Sequence, residues 1–325
     1  DEMSTLPVST LRRLAHLCDA GGTVAAQAAL AQLALAAGLY AGPVRGAKGL
    51  PPLGAWTPEH GVTCPVLTRA PGKTPLAVVF YRSYLVSADL APIRALYEEF
   101  AARGFAVTAF FVPSLKAPEA SGWLRRQIAA LAPAAIVNAT AFSGKGADGT
   151  SPLDAADVPV FQCVLATSDR KAWAEADRGV SPADLAMHVV LPEVDGTILG
   201  EPVSFKETGA RDPDLQFARA AHAAHAEGIA ALADRVVARL SLARRTPAER
   251  RPALILSTYP GKDWNIGHAV GLDALASARA ILDDLRDAGH DVTGAPADLP
   301  TALLARTESW PLAEHAAALA SPPDT

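Results

Sequence analysis

The chain has 325 residues, half of them hydrophobic, a formal net charge of -5 and three cysteines. That length suits about two domains of ordinary size, and so large an apolar fraction excludes wholesale disorder. A mildly acidic balance offers nucleic acid or an anionic membrane no chain-wide attraction, and Cys18, Cys64 and Cys163, scattered and without a CxxC spacing, exclude a zinc knuckle or disulfide scaffold.

The N-terminus, Asp1-Glu2-Met3, shows no basic region followed by an apolar run, so no signal peptide is expected. The most apolar stretch, residues 24–37, is broken by Gln27 and Gln32 and is shorter than the roughly 20 apolar residues a bilayer span requires. No membrane insertion is therefore expected, and a cytoplasmic location with reduced thiols is the expectation.

Residues 5–38 read as a helical hairpin, with Leu11, Leu14, Ala15 and Cys18 on one face and Gly21-Gly22 at the break. Residues 42–74, rich in Gly and Pro, read as an irregular connection. From Pro75 the pattern changes. Leu76–Tyr81 is a nearly continuous apolar run, as in a strand buried on both faces. A helix pattern over 88–103 closes at Gly104, Phe105–Val112 gives the next strand, and residues 123–131 a short helix. Ala135–Asn138 and Val160–Leu165 give two further strands. Strands alternating with helices at this spacing predict Rossmann-like parallel βαβ units. Residues 184–192 form another apolar segment, and 214–243 read as one long helix. Residues 253–259 open a strand, 273–288 a helix and 290–294 a strand. The expected organisation is α/β: helical hairpin and connection over 1–74, an α/β domain over 75–251, and a second α/β unit beginning near 252 and running to 325.

Familiar phosphate and nucleophile signatures are missing. No GxGxxG follows a strand, no GxxxxGK[ST] or GxSxG occurs, and Gly144-Lys145-Gly146 and Gly261-Lys262 have turn spacing. If nucleotide is hydrolysed for this protein's work, another chain does it. The basic group Arg244, Arg245, Arg250 and Arg251 falls where the long helix ends, where cations complement the helix dipole.

Doubly wound sheets bind ligands at their carboxyl strand ends. Here those ends carry Tyr81-Arg82-Ser83, Val112-Pro113-Ser114, Asn138–Ser143 and Ala166-Thr167-Ser168. Small hydroxylic and amide groups with one cation suit a large, flat, polyanionic ligand; helix capping and turn satisfaction are the alternative. The segment Met187–Gly196 sets an imidazole, His188, beside Glu193 and Asp195 at an expected strand-to-turn transition. Two residues apart in extended chain, those carboxylates point the same way and can hold a hard cation or remove protons; a solvated acidic turn is the alternative. His222 and His225 form HxxH on an apolar stripe, which suits a packed layer more than a metal pair. His268 and Asp273 sit in a Gly-punctuated loop as candidate ligands or clamps.

Several segments together resemble the large subunit of class I chelatases, cobaltochelatase and its relative the magnesium chelatase H subunit. They are Ser4-Thr5-Leu6-Pro7 with Gly21-Gly22; Tyr81-Arg82-Ser83; Asn138-Ala139-Thr140; Ser181–His188 leading into Leu191-Pro192-Glu193-Val194-Asp195-Gly196; Val203–Glu207; Tyr259-Pro260; Ile266-Gly267; and Val270-Gly271-Leu272-Asp273. The Ser-Pro-Ala-Asp-Leu-Ala and Val-Gly-Leu-Asp elements look more like the cobalt branch. His268 stands where Asn is expected, and Trp264 is unusual for the family. The resemblance implies part of a longer subunit that binds hydrogenobyrinic acid a,c-diamide and inserts Co²⁺ in cobalamin synthesis. ATP and Mg²⁺ would be used by AAA+ ATPase partner subunits. Within that expectation Glu193, His188 and Glu207 are the candidate catalytic groups, and Glu193, Asp195 and His188 the candidate metal ligands. Tyr81, Arg82, Ser83, Asn138, His268 and Asp273 would bind substrate, with Arg82 pairing a peripheral carboxylate. The readings left open are a non-catalytic tetrapyrrole-binding or ATPase-docking scaffold, a magnesium-chelatase-like subunit, and an unrelated sugar-nucleotide transferase.

Overall fold

A computed structural model describes residues 4–46, 49–64, 72–177, 179–257, 266–268, 270–305 and 310–320. The chain divides into two units, Asp1–Leu240 and Ser241–Thr325, so the boundary falls about three turns of helix before the expected residue 252.

In the first unit the helical hairpin forms as α1 (Val8–Ala20) and α2 (Thr23–Ala36), broken at Gly21 and Gly22, both at positive φ. The supposedly irregular connection holds a small antiparallel hairpin, β1 (Gly54–Thr57) and β2 (Gly61–Thr63). Then come β3 (Thr74–Tyr81), α3 (Arg82–Val86), α4 (Ala91–Ala102), β4 (Phe105–Val112), α5 (Pro118–Leu131), β5 (Ala135–Ala139) and β6 (Val160–Leu165). The sheet order is β2-β1-β4-β3-β5-β6, continued by β7 (Ile198–Asp212) and β8 (Phe217–Ala224). Pairings among β4, β3, β5, β6 and β7 are parallel, while β1 pairs antiparallel with β2 and β4, and β7 with β8.

The side-chain alternation of β3 builds both layers of core. Leu76, Val78 and Phe80 face the Ile93, Leu96 and Phe100 stripe of α4 and, further along, α9 (Ala226–Arg244). Ala77 and Val79 face the Ala120, Leu124 and Ile128 stripe of α5. Spacings of three and four put each helical stripe on one side, and period two splits each strand between the layers. The β3 segment Leu76–Phe80 is therefore apolar throughout.

Two expectations are corrected in this unit. Residues 214–243 are not one helix: 217–224 pair with β7 as a strand, and only 226–244 is helical. The turn joining β7 to β8 is set by Asp212, whose Oδ1 accepts from the Asp214 and Leu215 amides, an Asx turn that overrides the helix propensity of the alanines after it. Residues 184–192 are helical rather than extended: α7 (Pro182–Leu185), a π-turn (Ala186–Val190) and α8 (Leu191–Glu193) run on without a break. The helix expected over 88–103 forms as the unbroken α4 (Ala91–Ala102), with the short α3 before it and Ala88 at positive φ between the two.

In the second unit, α10 (Ala274–Asp287) matches the expected helix, followed by α11 (Leu299–Ala305) and α12 (Leu312–Ala320). Its described residues contain no strand longer than a single bridge, and residues 253–257 and 290–294 are irregular. Residues 258 and 259 of the first expected strand, the Tyr259-Pro260 pair, Gly261-Lys262 and Trp264 lie outside the described residues. No helix among the described residues is long and apolar enough to cross a membrane.

Candidate functional site

The parallel registers bring the carboxyl ends of β3, β4, β5 and β6 to one edge of the sheet, with Tyr81 beside Val112 and Phe80 beside Ala139. A buried polar layer forms there. Asn138 donates through Nδ2 to Gln162 Oε1 at 2.7 Å, Thr140 Oγ1 donates to Asn138 Oδ1 at 2.8 Å, and Gln162 Nε2 donates to the Thr140 carbonyl at 2.7 Å. Asn138 is thus satisfied within the core and held away from any ligand. Tyr81 donates its hydroxyl to the Ala141 carbonyl at 2.5 Å, and burial raises its pKa. Burial likewise pushes the Cys163 thiol up to about 12, so it is inert at neutral pH.

The helical stretch 182–193 lies over this edge. Ser181 caps α7 by accepting from the Asp184 amide. Asp184, fully buried, accepts from the Thr167 amide at 3.0 Å, from the Thr167 hydroxyl and from Ser181 Oγ, which fixes the helix to the end of β6. One turn on, His188 is 5% exposed, and its Nδ1 is buried without a hydrogen-bond partner in the protein. Burial lowers the His188 pKa against the opposing pull of Asp184, and His222 adds to the lowering. The imidazole is neutral at pH 7.

His188 and Glu193 both line a cavity of about 110 Å³ with Gln162, Val189, Thr197 and Leu199. That is room for roughly three waters, or an ion with part of its shell. Five residues apart on a regular α-helix, the pair would differ by about 140° in direction. The π-turn changes this. Pro192 has no N–H to give the His188 carbonyl, and its ring crowds that carbonyl. The chain widens instead, and the Leu191 amide reaches back to the Ala186 carbonyl. Glu193 is thereby carried round to the cavity that holds His188.

The other candidates lie elsewhere. Asp195 does not join Glu193 on one side as an extended strand would require: its Oδ1 accepts from Ser143 Oγ and its Oδ2 from the Gly144 amide, both at 2.5 Å. Glu207 is exposed on β7 and accepts from the Arg170 amide. Arg82 is committed to four main-chain carbonyls, those of Asp19, Ala20, Leu50 and Pro51. The carbonyl of the exposed Ser83 accepts from Ser87 Oγ. His222 and His225 sit at the end of β8 instead of on a helix: His222 Nδ1 is 2.9 Å from Ser204 Oγ and its amide donates to Asp89, while His225 packs between Trp173 and Phe205. In the second unit His268 is exposed, and Asp273 caps α10 by accepting from the Ala276 amide. A larger hollow of about 950 Å³ in that unit, beside Arg250, Arg251 and Asp291, is lined by none of the candidate residues. Among the described residues no group of three or more His, Cys, Asp or Glu is placed to hold a metal ion.

Sequence reasoning missed Asp184 and Gln162 as site residues and had Thr167 only as one of the strand-end groups. The N-cap signature Ser181-Pro182, with Asp184 three residues on from Ser181, was the available signal for a helix here.

The sequence pattern of the CobN/Magnesium Chelatase family matches residues 32–322. This chain belongs to that family. Among its CobN relatives, the aerobic cobaltochelatase subunit CobN of Pseudomonas aeruginosa is 36% identical over 259 residues, 77% of this chain and 20% of the relative. That of a Sinorhizobium species is 34% identical over 69% of this chain. The chloroplastic magnesium-chelatase subunit ChlH of rice (Oryza sativa subsp. indica) is 28% identical over 70% of this chain. Among solved structures, the catalytic subunit of cobaltochelatase from Mycobacterium tuberculosis superposes with a TM-score of 0.62 at 28% identity, covering 88% of this chain and 24% of that one. The chain thus spans about a fifth of the length of its CobN relatives. The mixed α/β sheet described above is the architecture it shares with a cobaltochelatase.

Proposed function

We propose that this chain is a tetrapyrrole-facing part of a cobaltochelatase large subunit. That subunit inserts Co²⁺ into hydrogenobyrinic acid a,c-diamide, in the cytoplasm, with ATP and Mg²⁺ used by AAA+ partner subunits. Higher identity to the CobN subunits than to ChlH favours cobalt as the substrate metal.

The single observation that carries a chemical role is the cavity shared by His188 and Glu193, into whose wall the π-turn brings both groups. Metal insertion requires that the incoming ion lose water and that the macrocycle lose its ring N–H protons. A carboxylate accepts a proton and binds a hard cation; a neutral imidazole does either with a borderline metal. His188 and Glu193 are therefore the pair that receives ring protons or passes the ion, and further ligands come from other parts of the longer subunit. Asp195 takes a supporting role, fixing the 143–144 loop.

The test is Glu193→Gln and His188→Ala in the full-length subunit assayed with its ATPase partners. Loss of cobalt insertion by about two orders of magnitude is expected, in the range removal of a positioned acid–base group produces. Insertion at the wild-type rate in both variants would leave this region as scaffold.

A further inference from the structure

Five hydrogen bonds fix residues 141–145 against the sheet edge and the segment 187–195. Tyr81 donates to the Ala141 carbonyl, the Phe142 amide to the Met187 carbonyl at 2.8 Å, Ser143 and Gly144 to the two oxygens of Asp195, and Lys145 Nζ to the Val194 carbonyl at 2.7 Å. Inside this clamp Phe142 adopts φ +66°. A bulky residue in left-handed backbone is an outlier held only by its surroundings, and glycine would meet the same turn without strain. Core packing does not explain the ring either, since Phe142 is 48% exposed. The segment it is bonded to also exposes Val190 and Val194, and Lys145 places its ammonium against the Val194 carbonyl.

We propose that Phe142 is a stacking platform for the flat face of the tetrapyrrole and that Lys145 pairs one of its peripheral carboxylates. The assignment rests on the tetrapyrrole-binding reading above and adds residues to it. A rigid mount keeps the ring presented to solvent, so no ordering entropy is lost when a planar π-surface settles on it. Aromatic stacking supplies contact area together with a preferred offset geometry. The lysine supplies charge recognition that a purely apolar ledge lacks. Val194, whose carbonyl holds Lys145, directly follows Glu193, one of the residues lining the cavity shared with His188.

The experiment titrates the 325-residue chain with hydrogenobyrinic acid a,c-diamide and with its fully amidated analogue, following the absorbance of the macrocycle. Phe142→Ala and Phe142→Gly are both expected to weaken the diamide about tenfold, which corresponds to about 1.4 kcal/mol of stacking. Phe142→Trp is expected to bind as the wild type does. Melting temperatures of the same variants separate stacking from folding: glycine suits the turn better than alanine, so Phe142→Gly is the more stable of the two yet binds no better. Lys145→Met is expected to lose affinity for the diamide and none for the amidated analogue. Binding that follows stability across the Phe142 series, or wild-type affinity in both truncations, overturns the assignment while leaving the tetrapyrrole reading in place. A well-folded wild-type chain that binds neither ligand overturns both.

Discussion

Replacing Arg82 by alanine separates anchoring of the chain from recognition of a substrate carboxylate. The guanidinium donates to the carbonyls of Ala20 and Leu50 in partly buried surroundings, and to those of Pro51 and Asp19 nearer solvent. It therefore ties the carboxyl end of α1 and the 50–51 segment to the start of α3, at a helix end where a cation is favoured. Two partly buried hydrogen bonds at about 1 kcal/mol each and two exposed ones at about half that sum to roughly 3 kcal/mol. For a unit of this size that lowers the melting temperature by roughly 6–12 °C. Far-UV circular dichroism melts of wild type, Arg82→Ala and Arg82→Lys measure this. Lysine has no planar fork and recovers less than half of the loss. Tetrapyrrole affinity measured well below the melting transition should stay within about threefold of the wild type, a difference under 1 kcal/mol. Unchanged melting combined with collapsed affinity would refute the anchoring argument and return Arg82 to the substrate site.

Pro192→Ala restores the amide whose absence causes the π-turn, so the helix regularises and Glu193 swings away from His188; fold stability is expected to hold, while cobalt insertion by the full-length subunit falls about a hundredfold. Wild-type insertion would show that the π-turn has no part in the chemistry. Stability should also fall on acidification. His188 and His222 have folded pKa values depressed by burial below their ordinary 6.5, so the unfolded chain takes up protons first. Their contribution is undiminished above about pH 6.5 and is lost as pH falls below it, with a limiting slope of about 2.7 kcal/mol per pH unit for the two together. Urea titrations at pH 7.5 and 5.5 check this, and His222→Gln should flatten the dependence. Gly228→Ala puts a Cβ into the Pro202 carbonyl and 2.7 Å from His225 Nδ1, where α9 starts against β7. A cost of about 2–3 kcal/mol is expected in urea unfolding; an unaltered midpoint would mean that the helix start shifts freely.

The central parallel strands were legible because burial on both faces writes a nearly unbroken apolar run, as in Leu76–Tyr81, set between helix patterns and turn residues. The β7–β8 pair was hidden. Phe217–Ala224 is mostly alanine, whose local preference is helical, and only pairing with the Ser204–Asp212 stretch of β7 makes it a strand. The Asp212-Pro213-Asp214 turn signal stood in front of it and was outweighed by the apolar stripe running on into α9. At the site, the chemical groups were legible but their directions were not. His188 and Glu193 were grouped by their closeness at an expected strand-to-turn transition, and they do line one cavity, but through a π-turn at Pro192. Asp195 and Arg82 carry the charge expected of ligand-binding groups, yet Asp195 is taken up by the Ser143 hydroxyl and Gly144 amide and Arg82 by main-chain carbonyls, partners that sequence spacing does not reveal.

The Asp89 carboxylate that receives the His222 amide has a bearing on how other proteins can attach to this one. β8 ends the sheet, and a terminal strand ordinarily offers its outward amides and carbonyls as a template for another chain. Here an outward amide is already occupied by a side chain, and Arg219 reaches to the Ser87 and Ala88 carbonyls on the same flank. An incoming strand would have to displace both contacts before its first rung could form. Strand addition is therefore disfavoured along this border, and association is directed to the layers and the carboxyl rim of the sheet.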